Sequence, residues 1–245
     1  LGFKRSGTWW KVESLNKPSG LFDEEWEQKL INIREFLFKT NLPAWHPPKK
    51  EGFFRHIVIR KSFQSNLLLV NLVTSSVGLK KFDRSAFVSF MLEQFGERIA
   101  GIQHTVNDNV ADRAKIENGD SKLLYGNAKI EEKINDLRFE ISMESFFQTN
   151  PLCAELLYNR AIDYLLSDAI DPDSVVLDLF CGTGTIAQLI AKRNNKFSII
   201  GVDIVEEAIE DARRNTSINE LKNVQFIALD VGKFLKENPD LEGKI

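Results

Sequence analysis

Cysteine is nearly absent from this 245-residue chain: there are two, Cys153 and Cys181, and no C-x-x-C pair. That excludes a disulfide framework and a zinc cluster, and it points to reducing, cytoplasmic surroundings. Histidine is as scarce, and His46, His56 and His104 make no metal-ligand spacing, so no metal is expected. No apolar run reaches the roughly 18 residues a bilayer span needs. The opening "LGFKRSGTWW" is basic but lacks the apolar core of a signal peptide. No membrane partner is therefore expected. Internal repeats and low-complexity segments are missing too.

What is present is a globular composition. Apolar residues make up 43% and charged residues 27%, enough to bury a core in one large domain or two modest ones. Net charge is −3, which by itself argues against nucleic acid. Its distribution argues the other way. Residues 1–142 carry 22 Lys and Arg against 18 Asp and Glu, whereas residues 143–245 carry 10 against 17. Between Lys39 and Arg84 there are nine basic residues and two acidic ones. Such a stretch is either a solvated face or a polyanion contact, with Lys49, Lys50, Arg60 and Lys61 as the candidate phosphate ligands.

Periodicity sets the organisation. Phe22, Trp26, Leu30, Ile33 and Leu37 fall at helical spacing, and "LPAWHPPKKEG" then breaks the pattern with three prolines. Strands follow in "FRHIVIRKS" and "NLLLVNLVTSS", then a helix from Asp83 to Gly96, then strands through "RIAGIQHTVN" and "LLYGNAKIEEKINDLRFEIS". Residues 1–142 thus read as an α+β domain. From residue 143 the rhythm changes. Asn150 and Pro151 start a helix, and strict β-α-β-α-β alternation follows, which is the mark of a parallel sheet covered by helices.

The loop "LDLFCGTGTIA" places Gly182 and Gly184 between a strand and a helix, where the backbone turns tightly and a ligand can approach. Gly182, Gly184 and Ala187 also fit a dinucleotide fingerprint, with Asp203 about twenty residues on. The glycines alone do not separate NAD from another adenosine cofactor, nor from a plain strand-to-helix turn. Asp203 ends the second strand, where it can accept ribose hydroxyls, and Asp230 is read as ending the third in the same register. Asp178, just before the loop, repels a pyrophosphate and suits a sulfonium, unless it serves only to bond the loop's own amides.

With "SFFQTN", "VLDLFCGTGTIA", "GVDIVEEAIEDARRN" and "NVQFIALD" in this order, the chain resembles the RNA (uracil-5-)-methyltransferase family. "GFFRHIVIR", "GIQHTVND" and "LYGNAKIEEKI" are similar to that family's central domain. The resemblance implies a Rossmann-like class I methyltransferase domain, partial here, over residues 143–245, after an α+β, RNA-facing central domain over 1–142. It implies S-adenosylmethionine as cofactor, touched by Gln148, Phe180, Gly182, Gly184, Thr185, Asp203 and Asp230. Phe146 and Gln148 are implied to border the uracil, in a transfer or ribosomal RNA. An aromatic can stack on a flipped base and a Gln amide can read its edge.

In that family a Cys thiolate adds to uracil carbon 6, and carbon 5 then attacks the methyl group before a base removes its proton. The D-P-P-R segment, the Cys and the Glu base are expected beyond residue 245, so no catalytic residue is assigned within the chain and it is expected to be inactive alone. Cys153 and Cys181 read as packing residues. The family's N-terminal β-barrel is not visible, and no Cys stands near "SLNKP" for an iron–sulfur cluster, so none is expected. The rival readings are a class I methyltransferase on another substrate, an NAD-dependent oxidoreductase, or a non-catalytic RNA-binding protein.

Overall fold

The computed structural model of the chain describes residues 2–109, 120–167 and 174–243. The chain divides into two compact units, Leu1–Ser62 with Asn66–Ile130, and Phe63–Ser65 with Glu131–Ile245.

The first unit opens with a short antiparallel ladder, β1 (Gly2–Lys4) and β2 (Val12–Ser14). Helix α1 (Glu24–Lys39) begins where Asp23 accepts a hydrogen bond from the Trp26 amide, and three Glu residues fill its first turn. Carboxylates there complement the helix dipole. Its buried stripe is Trp26, Leu30 and Ile33. A four-stranded sheet runs β3 (Phe54–Lys61), β4 (Leu68–Thr74), β5 (Ile99–Val106), β6 (Asp120–Gly126), adjacent in that order. Strands β4 and β5 are parallel and the outer pairs antiparallel. The parallel pair needs a crossover, and α2 (Arg84–Phe95), capped by Asp83, lies between them in the chain. Phe87, Met91 and Phe95 of α2 join the α1 stripe and the inner strands in one core.

An ion cluster is set into this unit. Asp23 lies 2.8 Å from Arg98 and 2.7 Å from Lys61, and Arg98 reaches Glu25 at 2.5 Å. Burial pushes the Asp23 carboxyl up, but hydrogen bonds from Arg98, Lys61 and the Trp26 amide outweigh it and hold the group well below the usual carboxylate range. Lys61, read from sequence as a phosphate contact, is therefore committed to Asp23.

The second unit starts with a hairpin, β7 (Lys129–Ile134) and β8 (Leu137–Ser142), whose apolar residues alternate inward. Helix α3 (Pro151–Leu165) follows, with Asn150 accepting from the Cys153 amide as its cap. Then come β9 (Val175–Leu179), α4 (Thr185–Arg193), β10 (Ser198–Asp203), α5 (Glu206–Ile218), β11 (Val224–Ala228) and α6 (Val231–Glu237). Strands pair in parallel in the order β11-β10-β9. The sheet closes on Phe226, whose ring fills the space above two glycines: a Cβ on Gly184 or Gly201 would meet it at 2.3 or 2.4 Å.

The division falls earlier than residue 142. Hairpin residues 131–142 group with the second unit, where α5 holds them. Asn215 Oδ1 accepts from the Glu140 amide at 2.9 Å, and Asn219 both accepts from and donates to the Arg138 backbone. Residues Phe63–Ser65 join the same unit through Glu132, which accepts from the Phe63 amide at 2.5 Å.

Candidate functional site

The site is built at the C-terminal ends of β9 and β10, where open α/β sheets bind ligands. After β9 the chain turns back through three positive φ angles: Phe180 at 62°, Gly182 at 54° and Gly184 at 71°. Glycine takes this conformation freely, whereas a bulky Phe rarely does, and such strain concentrates at functional sites. Phe180 is also 76% exposed. Around Gly182 the space is open, with no heavy atom within 4 Å of a notional Cβ.

The two strand-end carboxylates hold this loop. Asp203 Oδ2 accepts from the Gly182 amide and Oδ1 from the Val205 amide, each at 2.9 Å. A carboxylate has about four acceptor positions, so Asp203 keeps capacity for ribose hydroxyls. Asp178 Oδ2 accepts from the Ala187 amide at 3.0 Å, in the first turn of α4. Of the two uses read for Asp178, the amide contact is thus realised, with one oxygen not engaged by that bond. Burial, with the Asp203 charge adding to it, lifts the Asp178 carboxyl to about 6 against the pull of the Ala187 amide.

The segment Ser145–Pro151 divides its labour. Ser145 donates to Asp211 at 2.5 Å, Phe147 packs on Phe139, and Asn150 caps α3. Phe146 is 71% exposed, and its carbonyl accepts from Thr183 Oγ1 in the glycine loop at 3.4 Å. Gln148 hydrogen-bonds Tyr158 of α3. Burial raises the Tyr158 phenol, the Gln148 bond opposes this, and the Asp178 charge adds to the rise. The segment and the loop are therefore joined through Thr183.

Other expected residues sit differently. Thr185 is buried, with its hydroxyl 3.5 Å from that of Thr183. Asp230 is not in register with Asp203, whose partner is Ala228. Asp230 lies two residues past β11 and caps α6 through the Lys233 amide. Cys153 is exposed rather than a packing residue. Cys181 is half-buried, and burial together with Asp178 and Asp203 pushes its thiol far up, so it is no thiolate. Thr183 and Tyr158 were missed. Tyr158 follows Ala154 by four and precedes Ile162 by four, on the buried stripe of α3, so its sequence signal was that of a core aromatic. Among the described residues no group of three metal-ligating side chains occurs, and no helix is long and apolar enough to cross a membrane.

Strand order, glycine turn and strand-end carboxylates define a Rossmann-like half-sheet of the class I methyltransferase type. Comparison with known proteins agrees. Residues 170–242 match a family described as "Methyltransferase domain". The chain is 36% identical, over 98% of its length, to an uncharacterized RNA methyltransferase of Clostridium acetobutylicum, of which it covers 51%. A second uncharacterized RNA methyltransferase, from Caldanaerobacter subterraneus subsp. tengcongensis, is 34% identical over 98% of the chain and is covered to 52%. Among solved structures, the Pyrococcus abyssi tRNA (uracil-54, C5)-methyltransferase in complex with S-adenosyl-L-homocysteine superposes with a TM-score of 0.66 at 26% identity, over 94% of this chain and 52% of that one. The chain spans about half the length of the relatives it matches.

Proposed function

We propose that the chain contributes the cofactor site and the RNA-facing part of an S-adenosylmethionine-dependent RNA methyltransferase that forms 5-methyluridine in a transfer or ribosomal RNA. The observation that carries this reading is the Thr183 to Phe146 hydrogen bond, which ties the F-x-Q-x-N segment to the glycine loop. An exposed aromatic is thereby tethered next to a nucleotide-type turn.

The residues present fit the cofactor. The space beside Gly182 is open, Asp203 retains acceptor capacity for ribose hydroxyls, and the Phe180 ring is available to cover an adenine. Asp178 and Asp203 make the pocket negative, which favours a sulfonium and an ammonium over a pyrophosphate. When bound, the cofactor supplies an electrophilic methyl group. Gln148, oriented by Tyr158, holds the edge of the uracil, and Phe146 stacks on its face. Cys181, whose thiol burial pushes far up, is not suited to add to carbon 6, and we assign no residue of this chain to that step. The chain alone is accordingly proposed not to methylate RNA. A cytoplasmic location goes with this reading.

Calorimetry tests the cofactor. S-Adenosylmethionine is expected to bind and NAD is not, and Asp203→Ala is expected to cost about 1–3 kcal/mol of affinity. Equal affinity of wild type and variant would remove the assignment, and tight NAD binding would remove the class. Nucleoside analysis of RNA treated with the complete enzyme tests the product: a methylated nucleoside other than 5-methyluridine rejects the carbon 5 reading.

A further inference from the structure

The first unit holds a cleft of about 1020 Å³ that the cofactor chemistry does not use. This lies at the upper end of the roughly 300–1,000 Å³ typical of small-molecule sites, so it has room for more than one planar group. Its walls come from the β1–β2 loop and β2, from the last turns of α1 and from β3. Two tryptophans, Trp10 and Trp45, line it. So do the cations Arg5, Lys11, Arg34 and Arg55, against a single carboxylate, Glu13, which is already paired with Arg5.

Both indoles are arranged as platforms. The Arg55 guanidinium lies over the Trp45 ring at 4.2 Å and is pinned there by the Asn107 and Asn109 carbonyls at 2.7 and 2.6 Å. Trp45 Nε1 is buried without an acceptor, so packing on Arg55 rather than a polar tether orients the ring. Trp10 stands 4.5 Å from the His46 ring, with Lys11 5.2 Å over its face. Indole rings that each carry a cation over one face and line the cleft, with almost no negative charge beside them, are complementary to a ligand that has flat apolar faces and an anionic backbone. That ligand is single-stranded nucleic acid.

We propose that this cleft is a stacking subsite for unpaired bases of the RNA, with Trp45 and Trp10 as the platforms. The inference rests on the reading of RNA as substrate and adds where and how part of that RNA is held. It differs from plain phosphate binding because the bases supply the affinity.

The test uses fluorescence anisotropy with the 245-residue chain, a short labelled single-stranded RNA, and a strand of equal length and charge without bases. Trp45→Ala and Trp10→Ala are each expected to weaken binding of the natural strand roughly tenfold. Trp45→Phe should retain most of the affinity, and the baseless strand should bind all forms equally and weakly. Melting curves confirm that each variant is folded, and should Trp45→Ala not fold, Trp45→Phe and Trp10→Ala decide. Unchanged affinity in the folded alanine variants overturns the subsite while RNA remains the substrate. So does a baseless strand that binds as tightly as the natural one, or equal competition by polyglutamate. Absence of any RNA binding by the wild-type chain at low salt overturns the subsite, and loss of RNA methylation by the complete enzyme as well would remove the RNA reading itself.

Discussion

Asp23 and Asp178 do the same local job in the two units and end in opposite electrostatic states. Each accepts from an amide in the first turn of a helix, Asp23 from Trp26 and Asp178 from Ala187. Asp23 is also held by Arg98 and Lys61, and its carboxyl stays well below the ordinary range. Asp178 has another carboxylate, Asp203, as its charged neighbour and is lifted to about 6. A helix cap alone therefore does not decide the charge state of a carboxylate. The first unit neutralises its aspartate at home. The second leaves two neighbouring carboxylates at a glycine turn, with burial and like charge holding one of them up.

The sharpest way to break the comparison is Asp23→Ala. It removes the buried carboxylate that Arg98 and Lys61 share and is expected to cost about 3 kcal/mol, read as an earlier denaturant midpoint in tryptophan fluorescence. The contribution of Asp23 is present at neutral pH and is lost as pH falls below the ordinary carboxylate value, because its folded pKa is depressed. Asp178 carries the opposite sign. Between its ordinary value of 3.8 and about 6 the folded form holds the proton and the unfolded form does not, so stability falls as pH rises through that window. Asp178→Asn should flatten this slope and raise stability at pH 7.5 by about 1–2 kcal/mol, while weakening S-adenosylmethionine binding. A melting scan from pH 4 to 8 checks it, and an unchanged slope would assign the window to another group. The smallest effect is expected from Tyr158→Phe. Loss of one neutral hydrogen bond to Gln148 should cost about 1 kcal/mol or less in stability. In the complete enzyme, loss of turnover with unchanged cofactor affinity would place Tyr158 as a positioning residue.

The elements of both units were largely legible because their signals are local. Asp83 and Gly96 bracket α2, Asn150 and Pro151 open α3, and Gly182 and Gly184 mark the turn into α4. What escaped depends on contacts far apart in sequence. Hairpin β7–β8 alternates like the strands before it, and contacts far along the chain, such as those of Asn215 and Asn219 some 75 to 81 residues on, assign it to the second unit. Asp230 looked like a strand end because "VQFIALD" runs apolar to its last residue, but pairing stops at Ala228. Tyr158 was hidden as a helix-stripe aromatic, and Lys61 as one more charge in a basic run. Its partner Asp23 lies 38 residues earlier.

The ring of Phe226 has a consequence for the order in which this unit can change. Gly184 is held to glycine twice, by its φ of 71° and by the ring, whereas Gly201 is held by the ring without a positive φ. Replacement of Gly201 by alanine is therefore conditional. It should be severe beside Phe226 and milder once residue 226 has become small, with Cys181 Sγ still 3.1 Å from the new Cβ, while alanine at position 184 stays costly in either background. The two glycines look alike in the sequence, yet one is open to compensation and the other is not. A lineage that loses the second must first have shrunk the ring.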